Sequence, residues 1–100
     1  MGILNARGDL LARLIQQSLV RAGMKDITAL SVQPAAGRRL IVRHGPSLHR
    51  VHVHPVHRSP RTPAEEPGWL PLLVSSEFTD ASAQGLADAG VSFLDERGNA

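Results

Sequence analysis

The sequence contains no cysteine. Without thiols the chain has neither a disulfide framework nor a thiolate metal site, and nothing in it points to an oxidising compartment. The first residues, MGILNAR, lack the long apolar core of a secretory signal, and no apolar run approaches the length needed to span a membrane. We therefore expect a cytoplasmic protein with no membrane partner.

Acidic residues are missing from a long central stretch. Between Ile27 and Arg61 there is no Asp or Glu, although the stretch holds six arginines and all five histidines. After Arg61 the balance reverses, because one basic residue, Arg97, is accompanied by seven acids. Such a stripe can attract phosphate, pair with the acidic half of the chain itself, or form a solvated face. The six arginines, which are the candidate nucleic-acid-binding residues, are Arg38, Arg39, Arg43, Arg50, Arg58 and Arg61.

A chain of 100 residues with 42% hydrophobic content suits one small domain, residues 1–100, with a single core. After Asp9, which we expect to be the N-cap, apolar residues recur at helical spacing as far as Ala22. Gly23 then tolerates the left-handed backbone that ends many helices. The pattern predicts an amphipathic helix that packs on the core.

Three β-rich runs follow, at residues 27–33, 38–44 and 48–57, and turn signals separate them. In the third run Val51 and Val53 alternate with His52 and His54, and Pro55 marks an edge or the end of pairing. We predict an antiparallel three-stranded meander packed against the first helix. Residues 58–68, with three prolines, are predicted to form a surface loop.

The last third of the chain predicts one strand-helix-strand unit. The apolar run 72–74 suits a strand buried on both faces, Thr79 can cap a helix that Gly90 closes, and residues 91–94 form the returning strand. A crossover of this length makes the two strands parallel. The fold class is therefore α/β (α+β), with an N-terminal helix, an antiparallel meander and a parallel β-α-β crossover around one mixed sheet.

This order of elements is similar to the core of the restriction-endonuclease-like superfamily. The ending, LLVSSEFTDASAQGLADAGVSFLDERGNA at 72–100, resembles a segment of bacterial regulators in which a degenerate nuclease-like domain adjoins a winged-helix domain, including type IV (AbiEi-like) antitoxins. The most specific residues are Gly90-Val91, Phe93-Leu94-Asp95 and Gly98-Asn99-Ala100. The resemblance implies a restriction-endonuclease-like sandwich. Because such regulators usually continue past this point, it also implies a chain truncated at its C-terminus.

An enzymatic function is not expected. Nucleases of that superfamily resemble one another in carboxylates on the second and third strands, because a divalent metal needs hard oxygen ligands. The corresponding runs here, 38–44 and 48–57, contain no carboxylate, so we assign no catalytic residue and no cofactor. The sequence also lacks a phosphate-binding loop, a dinucleotide fingerprint and the Gly-x-Ser-x-Gly elbow of a hydrolase.

The histidines offer another chemistry. His52 and His54 are weak candidates for a zinc, copper or nickel site, to which His49 or His57 would be the neighbouring ligand. Arg50 would repel a cation, and no carboxylate lies nearby in the sequence to support one. A pH-sensitive basic face and a plain solvated strand are the alternatives, and we assign no metal.

Two functions from different classes remain, with a metal-dependent nuclease as a third. The first is a non-catalytic DNA-associated module of a transcriptional regulator or antitoxin, in which the six arginines contact phosphate. The second is a protein-interaction module that self-associates through its basic and acidic halves.

Trp69 is either a binding aromatic or, as we expect, a side chain that closes the end of the core.

Overall fold

The computed structural model describes residues 5–33, 37–56 and 66–96. Five strands form one sheet in chain order, namely β1 (Ile27–Ser31), β2 (Arg39–His44), β3 (Ser47–Pro55), β4 (Leu70–Ser75) and β5 (Ser92–Asp95). The pairs β1–β2 and β2–β3 are antiparallel, and the pairs β3–β4 and β4–β5 are parallel. This architecture confirms the predicted α/β class, the meander and the parallel crossover, whereas the restriction-endonuclease-like fold stays a prediction. In chain order the elements are α1 (Gly8–Arg21), β1, β2, β3, β4, α2 (Asp80–Asp88) and β5.

The start of α1 differs from the sequence prediction. Arg7, not Asp9, is the N-cap, and its side chain makes no capping hydrogen bond. The backbone N–H of Gly8 instead donates to the carbonyl of Gly37 at 2.9 Å, a long-range contact that local sequence does not show. Asp9 lies inside the first turn, where the helix dipole favours its negative charge.

Both helices end at the predicted glycines. Gly23 and Gly90 have φ angles of 95° and 70°, in the left-handed region that glycine adopts readily. The residue after each glycine donates its N–H to the carbonyl five positions earlier, which is the hydrogen bond of a Schellman motif. These bonds join Met24 to Leu19 at 3.1 Å and Val91 to Leu86 at 2.9 Å.

A helix lies on each face of the sheet, but the two helices cover unequal areas. On the first face, which we call the α1 face, Leu11 and Ile15 of α1 pack on buried residues from every strand. On the second, the α2 face, a smaller cluster joins Leu73 to Phe78 and Leu86, with Phe93 at its edge. Residues that α1 covers on the strands are Ile27, Ala29, Leu40, Val42, Val51, Val53, Val74 and Leu94.

Strand β4 begins at Leu70, two residues earlier than predicted, and includes Pro71. The carbonyl of Val74 accepts a hydrogen bond from the N–H of Val56, on the β3 side, at 2.8 Å. Because backbone groups alternate in direction along a strand, the even-numbered residues of β4 point their N–H and C=O groups toward β3. Pro71 has the opposite parity and faces the β5 side, where pairing starts one residue later at Leu72. Its missing N–H therefore breaks no ladder bond.

Strand β5 ends at Asp95, one residue beyond the predicted strand 91–94. The Asp95 side chain is fully buried and accepts a hydrogen bond from the backbone N–H of Phe78 at 3.3 Å. This contact fastens the end of β5 to the segment that leads into α2. Thr79 caps α2 as predicted, since its hydroxyl accepts from the N–H of Ser82 at 3.1 Å.

Within the described ranges, neither α1 nor α2 is long and apolar enough to cross a membrane.

We predict that Leu40→Ala lowers the free energy of unfolding by about 2–5 kcal/mol, because it leaves a cavity beneath α1. Leu40 is 0% exposed, whereas Leu48 on the neighbouring strand is 68% exposed. Leu48→Ala is therefore the matched control and should change stability by less than about 0.5 kcal/mol. Urea unfolding followed by circular dichroism measures both, and equal losses would contradict the assigned faces.

Candidate functional site

The α2 face of strands β1, β2 and β3 is not covered by a helix of the described chain, and we call it the open face. The pairing register of the strands and the alternation of side chains along each strand determine which residues lie on the open face. Ile41 pairs with Leu30 and Arg50, and Arg39 pairs with His52, so these side chains share one face. Leu30 is 65% exposed. The open face consists of Thr28, Leu30, Arg39, Ile41, Arg43, Leu48, Arg50, His52 and His54.

Three of the six predicted arginines lie together on the open face. Arg39 and Arg43 come from β2, and Arg50 comes from β3; all three are exposed. Arg38 precedes β2, is partly buried, and lies close enough to His54 for their charges to interact. The remaining two, Arg58 and Arg61, lie outside the described residues.

Arg39 is the centre of a cluster of four side chains, which we call the Arg39 cluster. Its guanidinium forms an ion pair with the carboxylate of Glu66 and lies over the ring of Trp69, 4.9 Å from the ring centroid. The second oxygen of the same carboxylate lies 2.7 Å from Nδ1 of His52. An ionised carboxylate can only accept, so Nδ1 donates this hydrogen bond.

A tight turn positions both Glu66 and Trp69. The N–H of Trp69 donates to the carbonyl of Glu66 at 3.1 Å, and Gly68 at the third position has a φ of 82°. With Pro67 at the second position, this is the arrangement of a type II turn. The residues Glu-Pro-Gly-Trp carry the sequence signal of this turn, at the end of the predicted surface loop and just after it. Of the predicted loop 58–68, residues 58–65 lie outside the described chain and 66–68 form this turn.

Two expectations about this region are wrong. Trp69 belongs to neither buried cluster; it is half-buried and supports Arg39 rather than closing the core. A carboxylate does reach the histidines, although none lies near them in the sequence. The parallel register brings Pro71 opposite His52, so that Glu66, five residues before Pro71, lands beside the imidazole. No local sequence pattern reveals that register.

The histidines divide between the two faces. His52 and His54 share the open face as predicted, with ring centroids 4.4 Å apart. His49 has the opposite parity in β3 and lies on the α1 face, so the expectation that it joins them is wrong. His57 lies outside the described chain. Among the residues that are described, no three His, Asp or Glu side chains are grouped to hold a metal ion.

Two pKa values are displaced in this region. Burial lowers the pKa of His54 below its ordinary value of 6.5, and the neighbouring His52 and Arg38 lower it further. The hydrogen bond from His52 lowers the pKa of Glu66 below 4.5, with a further contribution from Arg39. At neutral pH, therefore, His54 is uncharged and Glu66 is an anion.

Comparison of the chain with protein-family models, with curated proteins and with solved structures finds no match. The resemblance to restriction-endonuclease-like regulators stays a prediction.

We predict that the protein loses stability as the pH falls below 6.5, because unfolded His54 takes up a proton more readily than folded His54. His54→Gln should flatten this loss between pH 7.5 and 5.5. Urea unfolding at the two pH values measures it, with His49→Gln on the other face as the matched control. A pH dependence that His54→Gln leaves unchanged would contradict the assignment.

A second loss is expected below pH 4.5, where the Glu66 contribution disappears as the pH falls toward its lowered folded pKa. Glu66→Gln should remove that part of the acid sensitivity. It should not reduce the His54 part, because the Glu66 charge raises the pKa of His54 and its loss leaves that pKa lower still.

Proposed function

We propose that the open face binds the phosphate backbone of nucleic acid and that the protein is not a catalyst. The observation that carries the proposal is the placement of Arg39, Arg43 and Arg50 on one exposed sheet face. Within the described parts of the chain, no carboxylate pairs with Arg43 or Arg50. Two guanidinium groups without an internal counter-ion are therefore available to an external anion.

The spacing of these arginines suits a polyanion better than a single small anion. Arg39 and Arg43 are four residues apart on one strand, which corresponds to about 13 Å of sheet surface. Arg50 projects between them from the adjacent strand, opposite Ile41. One strand of nucleic acid carries a charge about every 3.4 Å along its axis, so the three side chains lie within reach of several phosphates. Arginine matches phosphate with a planar pair of donors.

Two features support a binding role without cleavage. Strands β2 and β3, with the sequences RLIVRH and SLHRVHVHP, supply no carboxylate for a divalent metal. The one carboxylate described in contact with the open face, that of Glu66, is already shared by Arg39 and His52. The further proposal that the module belongs to a transcriptional regulator or antitoxin, and therefore binds DNA, rests on the sequence resemblance alone.

A second candidate function, protein interaction, is favoured by one observation. Leu30 and Leu48 are 65% and 68% exposed beside Thr28 and the arginines of the open face. Phosphate contacts do not need these side chains, whereas an acidic and partly apolar surface of another protein, or of a second copy, would bury them.

The double substitution Arg43→Gln/Arg50→Gln should weaken binding of a 20-nucleotide DNA about tenfold at 50 mM salt. It should also reduce the slope of log K against log salt by about 1.8 for a duplex or about 1.4 for a single strand, since each of the two lost phosphate contacts contributes about 0.9 or 0.7. Fluorescence anisotropy between 20 and 200 mM salt measures both quantities. Arg13→Gln/Lys25→Gln removes the same charge from exposed positions on α1 and the segment after it.

The proposal would be overturned if the two double variants lowered the DNA affinity equally, or if DNA binding did not depend on salt concentration. Sizing at low salt then decides the second candidate. Self-association of the wild type that Leu30→Ser/Leu48→Ser abolishes would assign the open face to a protein partner instead.

A further inference from the structure

We propose that Arg39 and His52 form an oxyanion-binding site whose occupant in this structure is the Glu66 carboxylate, and that a nucleic-acid phosphate displaces Glu66 from it. The identity of the ligand rests on the function proposed above. The existence of the site rests on the geometry of the Arg39 cluster alone.

The donors of the site converge on one anion. Nη2 of Arg39 contacts Oε1 of Glu66, and Nδ1 of His52 lies 2.7 Å from Oε2, so each carboxylate oxygen has its own donor. A phosphate diester presents two non-bridging oxygens that carry one negative charge between them. Donors that form charge-assisted hydrogen bonds to two carboxylate oxygens therefore suit such a group as well.

The donors and the occupant are held by different parts of the fold. Arg39 and His52 are partners in the antiparallel ladder between β2 and β3, so the sheet fixes their separation. The ring of His54 lies against that of His52, and the guanidinium also lies over the ring of Trp69, which belongs to the same turn as Glu66. Glu66 instead reaches the site from the turn that precedes β4. A rotation of the Glu66 side chain empties the site without moving its donors.

Little opposes the exchange of Glu66 for an external anion. The side chains of Arg39 and Glu66 are 48% and 31% exposed, and ion pairs at such positions contribute little to stability. A nucleic-acid strand that also contacts Arg43 and Arg50 has several attachment points, whereas Glu66 has only this one cluster. Glu66 therefore acts as an internal competitor that lowers the affinity of the open face for phosphate.

Replacement of Glu66 tests the competition directly. Glu66→Gln and Glu66→Ala should bind the 20-nucleotide DNA roughly three- to tenfold more tightly than the wild type at 50 mM salt, because one further charged donor becomes available. Asp88→Asn is the matched control: it makes the same change in net charge at the exposed end of α2, where Asp88 accepts from Gln84. It should change affinity less than twofold. Adding Arg39→Gln to Glu66→Gln should cancel the gain.

A second measurement separates this inference from the proposed function. The imidazole NMR signals of His52 are followed at constant pH while inorganic phosphate is added. In Glu66→Gln they should shift and saturate, and in Arg39→Gln/Glu66→Gln they should not. If phosphate shifts the His52 signals but no variant binds DNA, the anion site is supported and the proposed function is wrong. If Glu66→Gln and Glu66→Ala bind DNA no more tightly than Asp88→Asn, and phosphate leaves His52 unmoved, Glu66 is only a structural ion-pair partner and the inference is overturned.

Discussion

The arrangement of this protein depends on the core that α1 buries against one face of a five-stranded sheet, to which every strand contributes. Leu40, Val53, Val74 and Leu94 lie on that face almost without exposure, and a shift of one residue in any strand would turn its apolar set to solvent. The α1 face therefore fixes the register, and the register decides which side chains reach the other face. The nine-residue α2 covers only the β4–β5 side of that second face. The side chains of β2 and β3 that point away from α1, among them three arginines, His52 and His54, consequently lie together on the open face.

Within the described ranges, a carboxylate from the acidic half of the chain contacts the open face at the Arg39 cluster. A four-residue turn sets Glu66 and Trp69 on either side of Arg39, and the same carboxylate engages His52. Pairing between the basic and acidic halves, one of the three roles that the charge pattern allows, thus occurs inside the molecule at this cluster. Arg43 and Arg50 are not included in it. The open face accordingly combines the ion pair of Arg39 with Glu66 and two exposed cations, next to Leu30 and Leu48.

Sequence periodicity was sufficient for the order of elements but not for the cluster. The helical spacing around Leu11 and Ile15, the glycine stops at 23 and 90, and the alternation of Val51 with His52 depend on local geometry, and the structure reproduces them. The start of α1 depends instead on a contact between Gly8 and Gly37, and the location of Glu66 depends on the parallel register of β3 with β4. Both involve partners distant in sequence, which composition and spacing do not encode. The same limit explains the misplaced Trp69, whereas the face of His49 follows from the two-residue alternation within β3.

The claim that the open face is the binding surface is tested most directly by mapping amide shifts in a ¹⁵N-labelled sample during titration with a short single-stranded or duplex DNA. The account predicts that the largest shifts occur at Thr28, Ile41, Leu48 and His52 and that they fade as salt is raised. Residues on the outer side of α1, such as Arg13 and Gln17, should remain unaffected. If the amide shifts occur mainly in α1 and the residues of the open face show none, the open face is not the binding surface.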